Sequence, residues 1–186
     1  GIQTRSGRLL IPCDHIVEVT KESYSHVIYS DDGGATWKIG GQPEAGMNEC
    51  QIVELGGGAL MLNMRNAAKK HTRAVSRSRD GGLNWSPLEW DAALVEPICQ
   101  ASLIAEGKDL YFSNPASTRR EKMTVKHSSD GGKTWKTSRE LHAGPAAYSC
   151  LSPVGKRDLG CLYECGEAGP YERIVFARFA KRWLTA

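Results

Sequence analysis

Short runs of alternating apolar and polar residues follow one another along the whole chain, separated by glycine-rich turns. Alternation with a period of two is what a strand with one buried face requires, and it is not the spacing of a helix. The opening GIQTRSGRLLIPC already reads as strand sequence. HVIYS, TRAVSRS and MTVKHS each lead into a turn, and TWKIG, NWSPL and TWKTS lead out of one. CQIVELGGGALMLNMR holds two alternating runs around Gly56-Gly57-Gly58, and CQASLIAEGKDLYFSN holds two around Glu106-Gly107-Lys108. AYSCLSPV, LGCLYEC and ERIVFARF supply the last strands. The pattern predicts an all-β protein with about four short strands per structural unit and very little helix.

The turns repeat. Ser30-Asp31-Asp32-Gly33-Gly34-Ala35-Thr36-Trp37 recurs as Ser78-Arg79-Asp80-Gly81-Gly82-Leu83-Asn84-Trp85 and as Ser128-Ser129-Asp130-Gly131-Gly132-Lys133-Thr134-Trp135. The shared pattern is S-x-D-x-G-x-x-W. A near-constant period of this size indicates a solenoid or a propeller, with about three blades in the chain. Asp-Gly between two strands is a hairpin signal, because glycine takes positive φ and the aspartate caps backbone N–H groups. Serine adds a second such bond and tryptophan covers the turn, so these aspartates are read as turn-makers and not as catalytic groups.

Composition narrows the picture. With 186 residues, of which 40% are hydrophobic, the chain can bury a core and is not a disordered tail. No run of about 18 apolar residues occurs to span a membrane. The 24 Lys+Arg against 21 Asp+Glu leave a formal charge of +3, which excludes a polybasic arm and gives no sign of nucleic-acid binding. The 20 glycines favour tight turns over long helices. Six cysteines at 13, 50, 99, 150, 161 and 165 are widely spread, and the five histidines are scattered, so buried thiols or one or two disulfides are expected, with no metal site and no cofactor. The triple glycine at 56–58 is no phosphate loop: neither a Gly-Lys-Ser/Thr sequence nor a helix follows it. Asn84-Trp85-Ser86 is formally a glycosylation sequon, but it lies inside one of the repeated turns.

The segments between the turns carry the chemistry. Asn48-Glu49-Cys50-Gln51-Ile52-Val53-Glu54-Leu55 is followed by Leu62-Asn63-Met64-Arg65-Asn66. Phe112-Ser113-Asn114-Pro115-Ala116 is followed by Arg120 and Met123-Thr124-Val125, then come Gly144-Pro145-Ala146-Ala147-Tyr148-Ser149 and Leu162-Tyr163-Glu164. With the three Asp-boxes (30–37, 78–85, 128–135), Gly1-Ile2-Gln3 and Gly7-Arg8-Leu9, these stretches resemble the sialidase (exo-α-neuraminidase) superfamily over essentially the whole chain. The likeness is to the lysosomal branch of animal sialidases and its bacterial relatives.

The resemblance implies a six-bladed β-propeller, of which residues 1–186 supply roughly the C-terminal half. It also implies a retaining glycoside hydrolase that releases terminal α-linked sialic acid from glycoproteins, glycolipids or oligosaccharides. Tyr148 would be the nucleophile and Glu49 its base. A neutral tyrosine escapes the repulsion that the substrate's own carboxylate would exert on an anionic nucleophile. Arg65 and Arg120 would clamp that carboxylate with bidentate bonds that lysine cannot match, Arg119 being the nearby competitor. Glu164 would orient an arginine. Each residue also has a structural reading, as a solvated arginine or a core tyrosine.

The chain departs from the family pattern in one respect. The family's first arginine and its acid/base aspartate have no counterpart; Asp14, in Cys13-Asp14-His15, is the only early acid with suggestive neighbours, and it does not match. Gly1 is therefore expected to mark a cut through a domain, with the N-terminal half of the propeller needed for turnover. A non-catalytic Asp-box propeller that binds sialylated glycans or proteins is the alternative, a trans-sialidase a third option. Family analogy points to a lysosomal or secreted location.

Overall fold

The computed structural model describes residues 1–185, which divide into two compact units, one of residues 1–92 and one beginning at Ala93. In the first unit, β1 (Ile2–Gln3), β2 (Leu9–Ile16), β3 (Ser23–Ser30) and β4 (Lys38–Ile39) form an antiparallel meander. A second four-stranded sheet holds β5 (Met47–Glu54), β6 (Leu60–Asn66), β7 (Thr72–Ser78) and β8 (Glu89–Val95) in sequence order. In the second unit, β9 (Ser102–Glu106), β10 (Asp109–Pro115), β11 (Glu121–Ser128), β12 (Thr137–Val154), β13 (Asp158–Cys165) and β14 (Arg173–Ala180) form one six-stranded sheet. Its strand count exceeds the expected four because β12 runs for 18 residues, its first part pairing with β11 and its last part with β13. Among the described residues, helix is confined to a 3-10 turn at Gly56–Gly58 and the short α1 (Lys181–Thr185).

All three Asp-boxes are hairpin turns of one design, closing β3 onto β4, β7 onto β8, and β11 onto β12. In the first, the Ser30 hydroxyl donates to Asp32 Oδ1 at 2.7 Å and accepts the Gly34 N–H at 2.9 Å, while Asp32 Oδ1 accepts the Thr36 N–H at 2.9 Å. The same three bonds recur among Ser78, Asp80, Gly82 and Asn84 at 2.8, 2.9 and 3.0 Å. They recur again among Ser128, Asp130, Gly132 and Thr134 at 2.8, 3.0 and 2.9 Å. The second carboxylate oxygen takes a side-chain donor each time: the hydroxyl of Thr36, the amide of Asn84 and the hydroxyl of Thr134. Asn84, the sequon asparagine, is thus engaged in its turn. With this many donors on one carboxylate, all three aspartates titrate well below the usual range. Both glycines of each box have positive φ, between 69° and 95°.

The tryptophans differ. Trp37 closes its own turn, Nε1 donating to the Gly34 carbonyl at 3.1 Å, whereas Trp85 Nε1 donates to the Gly41 carbonyl at 3.0 Å, and Trp135 packs on Phe112 with ring centroids 5.7 Å apart. Gly41 also donates its N–H to the Gly82 carbonyl at 2.8 Å, and a Cβ there would lie 2.2 Å from the Leu83 carbonyl oxygen. Glycine is required by this close approach. Between Trp85 and β8 stands Pro87, which has no N–H to give a ladder, so β8 starts only at Glu89.

Inner strands are buried on both faces: Leu60, Met61, Leu62, Asn63 and Met64 of β6 are all buried. Leu10 and Val27 of the first sheet join Met47, Ile52, Leu60, Leu62, Met64 and Ala74 of the second in one core. The second unit has its own core around Met123, Val125, Leu151, Leu159, Cys161 and Leu184. The six cysteines are free thiols; burial pushes the thiols of Cys50 and Cys161 up to about 12. On β13 and β14, Leu162 lies opposite Phe176 and Glu164 opposite Ile174, and these three apolar side chains are exposed.

Candidate active site

In the first unit, Glu49 belongs to β5 and Arg65 to β6. The ladder between these strands slips by one residue between Met47 and Cys50, a bulge that contains Glu49. The Asn48 side-chain oxygen accepts the Glu49 N–H at 2.8 Å, and the Asn48 carbonyl accepts the Ser25 hydroxyl. The bulge turns the Glu49 carboxylate onto Arg65, whose Nη1 donates to Glu49 Oε2 at 2.6 Å. Both side chains are half-buried, at 28% and 23% exposure. This is a short charge-assisted bond between an acid and a guanidinium that both still reach solvent. Asp14 lies exposed on β2.

In the second unit, Tyr148 sits in β12 where the register with β13 slips between Ala146 and Ser149. The irregularity leaves the Tyr148 N–H outside the ladder, and the Glu164 carboxylate of β13 accepts it at 3.0 Å. What Glu164 holds in this structure is thus the backbone of Tyr148. Arg120, just before β11, is tied to the same segment, its carbonyl accepting the Ala146 N–H at 2.8 Å. Its guanidinium lies 5.8 Å from the centre of the Tyr148 ring and 5.9 Å from that of Tyr171. Nη1 donates to the Tyr171 hydroxyl, and Nη2 to the Ile98 carbonyl at 3.4 Å. Arg119 points elsewhere: 80% exposed, it pairs with Glu121 at 3.0 Å.

The structure therefore brings together Glu49 with Arg65 in one unit, and Arg120, Tyr148 and Glu164 in the other. The sequence reading missed Tyr171. Its only local signal is a Tyr-Glu pair directly before the alternating run RIVFARF. Among the described residues, no group of three or more His, Cys, Asp or Glu side chains is arranged to hold a metal ion.

An all-β chain of repeated Asp-turns, with arginines beside a carboxylate and a tyrosine at strand irregularities, defines the class as an Asp-box protein of propeller type. The chain belongs to the BNR repeat-like domain family, whose pattern matches residues 1–161, and it is a member of the sialidase superfamily. It is 36% identical over 198 residues to a sialidase of Micromonospora viridifaciens, covering 99% of this chain and 30% of that protein. A sialidase of Bacteroides fragilis is 38% identical over 181 residues, covering 90% of this chain and 33% of that protein. Among solved structures, the Hadza microbial sialidase Hz136 superposes with a TM-score of 0.87 at 33% identity, covering 99% of this chain and 37% of that one. The chain spans about a third of the length of these relatives.

Proposed function

We propose that the protein acts as a retaining exo-sialidase on terminal α-linked sialic acids of glycoproteins, glycolipids or oligosaccharides. The carrying observation is that each of two strand irregularities seats a side chain of catalytic type beside an arginine: Glu49 beside Arg65, and Tyr148 beside Arg120. In this reading the Tyr148 hydroxyl oxygen attacks the anomeric carbon and Glu49 takes its proton. The glycosidic oxygen leaves with a proton from an acid, and water then displaces the tyrosine, giving net retention. Arg65 and Arg120 hold the substrate carboxylate, and their fixed planar forks match it two bonds at a time. Glu164 fixes the Tyr148 backbone, and with it the line of attack.

A six-bladed propeller, of which this chain supplies the C-terminal half, belongs to the same proposal. The three sheets support it, as do the exposed Leu162, Ile174 and Phe176, an apolar face of the kind a neighbouring blade covers.

The test is hydrolysis of a fluorogenic α-sialoside by the protein produced as its gene encodes it. Tyr148→Phe is expected to lower kcat by more than about 10³-fold. Arg65→Lys and Arg120→Lys are each expected to lower kcat/KM by roughly 10- to 100-fold, the loss of a charge-assisted bond. A wild-type protein that binds sialosides without releasing aglycone would instead support the non-catalytic propeller.

A further inference from the structure

The segment between β13 and β14 is organised by a single carboxylate. Glu172 accepts the N–H groups of Glu167, Ala168 and Gly169 at 2.9, 2.9 and 2.8 Å. These bonds hold its carboxyl below the ordinary range, so it stays anionic through mildly acidic pH. The loop admits no side chain at Gly166, where a Cβ would lie 2.0 Å from the Gly169 carbonyl oxygen and 2.7 Å from the Glu172 carboxyl. Gly166 is in turn fastened to β12, its N–H donating to the Pro145 carbonyl at 3.1 Å. A closed loop anchored three residues before Tyr148 thus carries Tyr171, the neighbour of Glu172.

Tyr171 is 64% exposed, so burial of its ring does not account for its placement. Its hydroxyl accepts a hydrogen bond from Arg120 Nη1, and the guanidinium stands at nearly equal distances from the Tyr171 and Tyr148 rings. An arginine on a flexible stem loses rotamer freedom when it grips an anion, and holding it beforehand removes that ordering cost from the binding step. Nη1 and Nη2 each make one bond among the described residues, so donors remain for a carboxylate.

We propose that Tyr171 is a positioning residue: held by the Glu172-closed loop, it presets the Arg120 guanidinium beside Tyr148 to receive the substrate carboxylate. This rests on the sialidase reading above and adds to it a residue and a loop.

The test uses the protein as its gene encodes it, with Tyr171→Phe and Glu172→Gln. It measures kcat and KM for a fluorogenic α-sialoside, and the inhibition constants of a 2,3-unsaturated sialic acid and of its uncharged methyl ester. Tyr171→Phe keeps the ring and removes the acceptor. It is expected to raise KM and the inhibition constant of the acid by about 3- to 10-fold, with kcat within about twofold and the ester's constant unchanged. Glu172→Gln is expected to shift the acid in the same direction. Two results overturn the proposal while leaving the sialidase reading standing: an active wild type whose KM and acid inhibition do not change in Tyr171→Phe, or a variant that loses acid and ester affinity equally. A wild type that neither hydrolyses the sialoside nor binds the acid overturns both.

Discussion

Glu49 and Tyr148 share a local setting: each lies where a strand slips register by one residue, and each has its backbone N–H taken by a side chain, that of Asn48 or of Glu164. A bulge re-aims a side chain that a regular ladder would point squarely off the sheet. Their flanking segments singled these residues out as candidates. Their aim was not legible, because a bulge depends on the partner strand as well as on its own residues. The contact of Tyr171 with Arg120 was not legible at all, since it joins residues 51 positions apart and lies on a loop closed by its neighbour Glu172. The cysteines give a prediction at this scale. Because burial pushes the Cys50 and Cys161 thiols to about 12, the reactive thiolate is scarce at neutral pH. In the native protein both are expected to escape iodoacetamide and to be labelled only after denaturation, as read by peptide mass spectrometry. Rapid native labelling of either would contradict the buried placement.

The Asp-box is the element read most completely from sequence, because everything that shapes it lies within eight consecutive residues. Even there the tryptophans diverged: Trp37 stays on its own turn, while Trp85 reaches the Gly41 carbonyl, a contact set by packing between two sheets. The six-stranded sheet is a second departure: the ladder of β12 passes from β11 to β13 at Gly144-Pro145, a dipeptide that sequence alone reads as a break and not as the hand-over within one long strand. Acid stability tests the box itself. The folded carboxylates of Asp32, Asp80 and Asp130 titrate below their unfolded value of about 4. Their contribution is therefore complete above that pH and is lost as pH falls below it toward the folded values. Thermal melts should show Tm declining below about pH 4. Asp130→Asn should lower Tm at pH 7 and flatten that acid decline; an acid limb of unchanged slope would contradict the assignment.

At the scale of the molecule, the near-constant repeat spacing identified sheet-by-sheet construction before any coordinates, since each Asp-box closes one hairpin of one sheet. What no repeat conveys is the role of individual side chains such as Glu49 and Tyr148; the roles proposed for them are chemical and are tested as chemistry. The central claim is that Tyr148 becomes covalently bonded to sialic acid during turnover. A 2,3-difluorinated sialic acid tests it directly. The fluorine beside the anomeric centre disfavours positive charge there and slows breakdown of the intermediate, while the anomeric fluoride departs readily. Incubation with the protein as its gene encodes it, followed by proteolysis and mass spectrometry, should place a fluorosialyl adduct on the peptide at Tyr148, with none on Tyr148→Phe. Turnover of the fluorogenic sialoside with the adduct on another residue, or with no adduct at all, would contradict it.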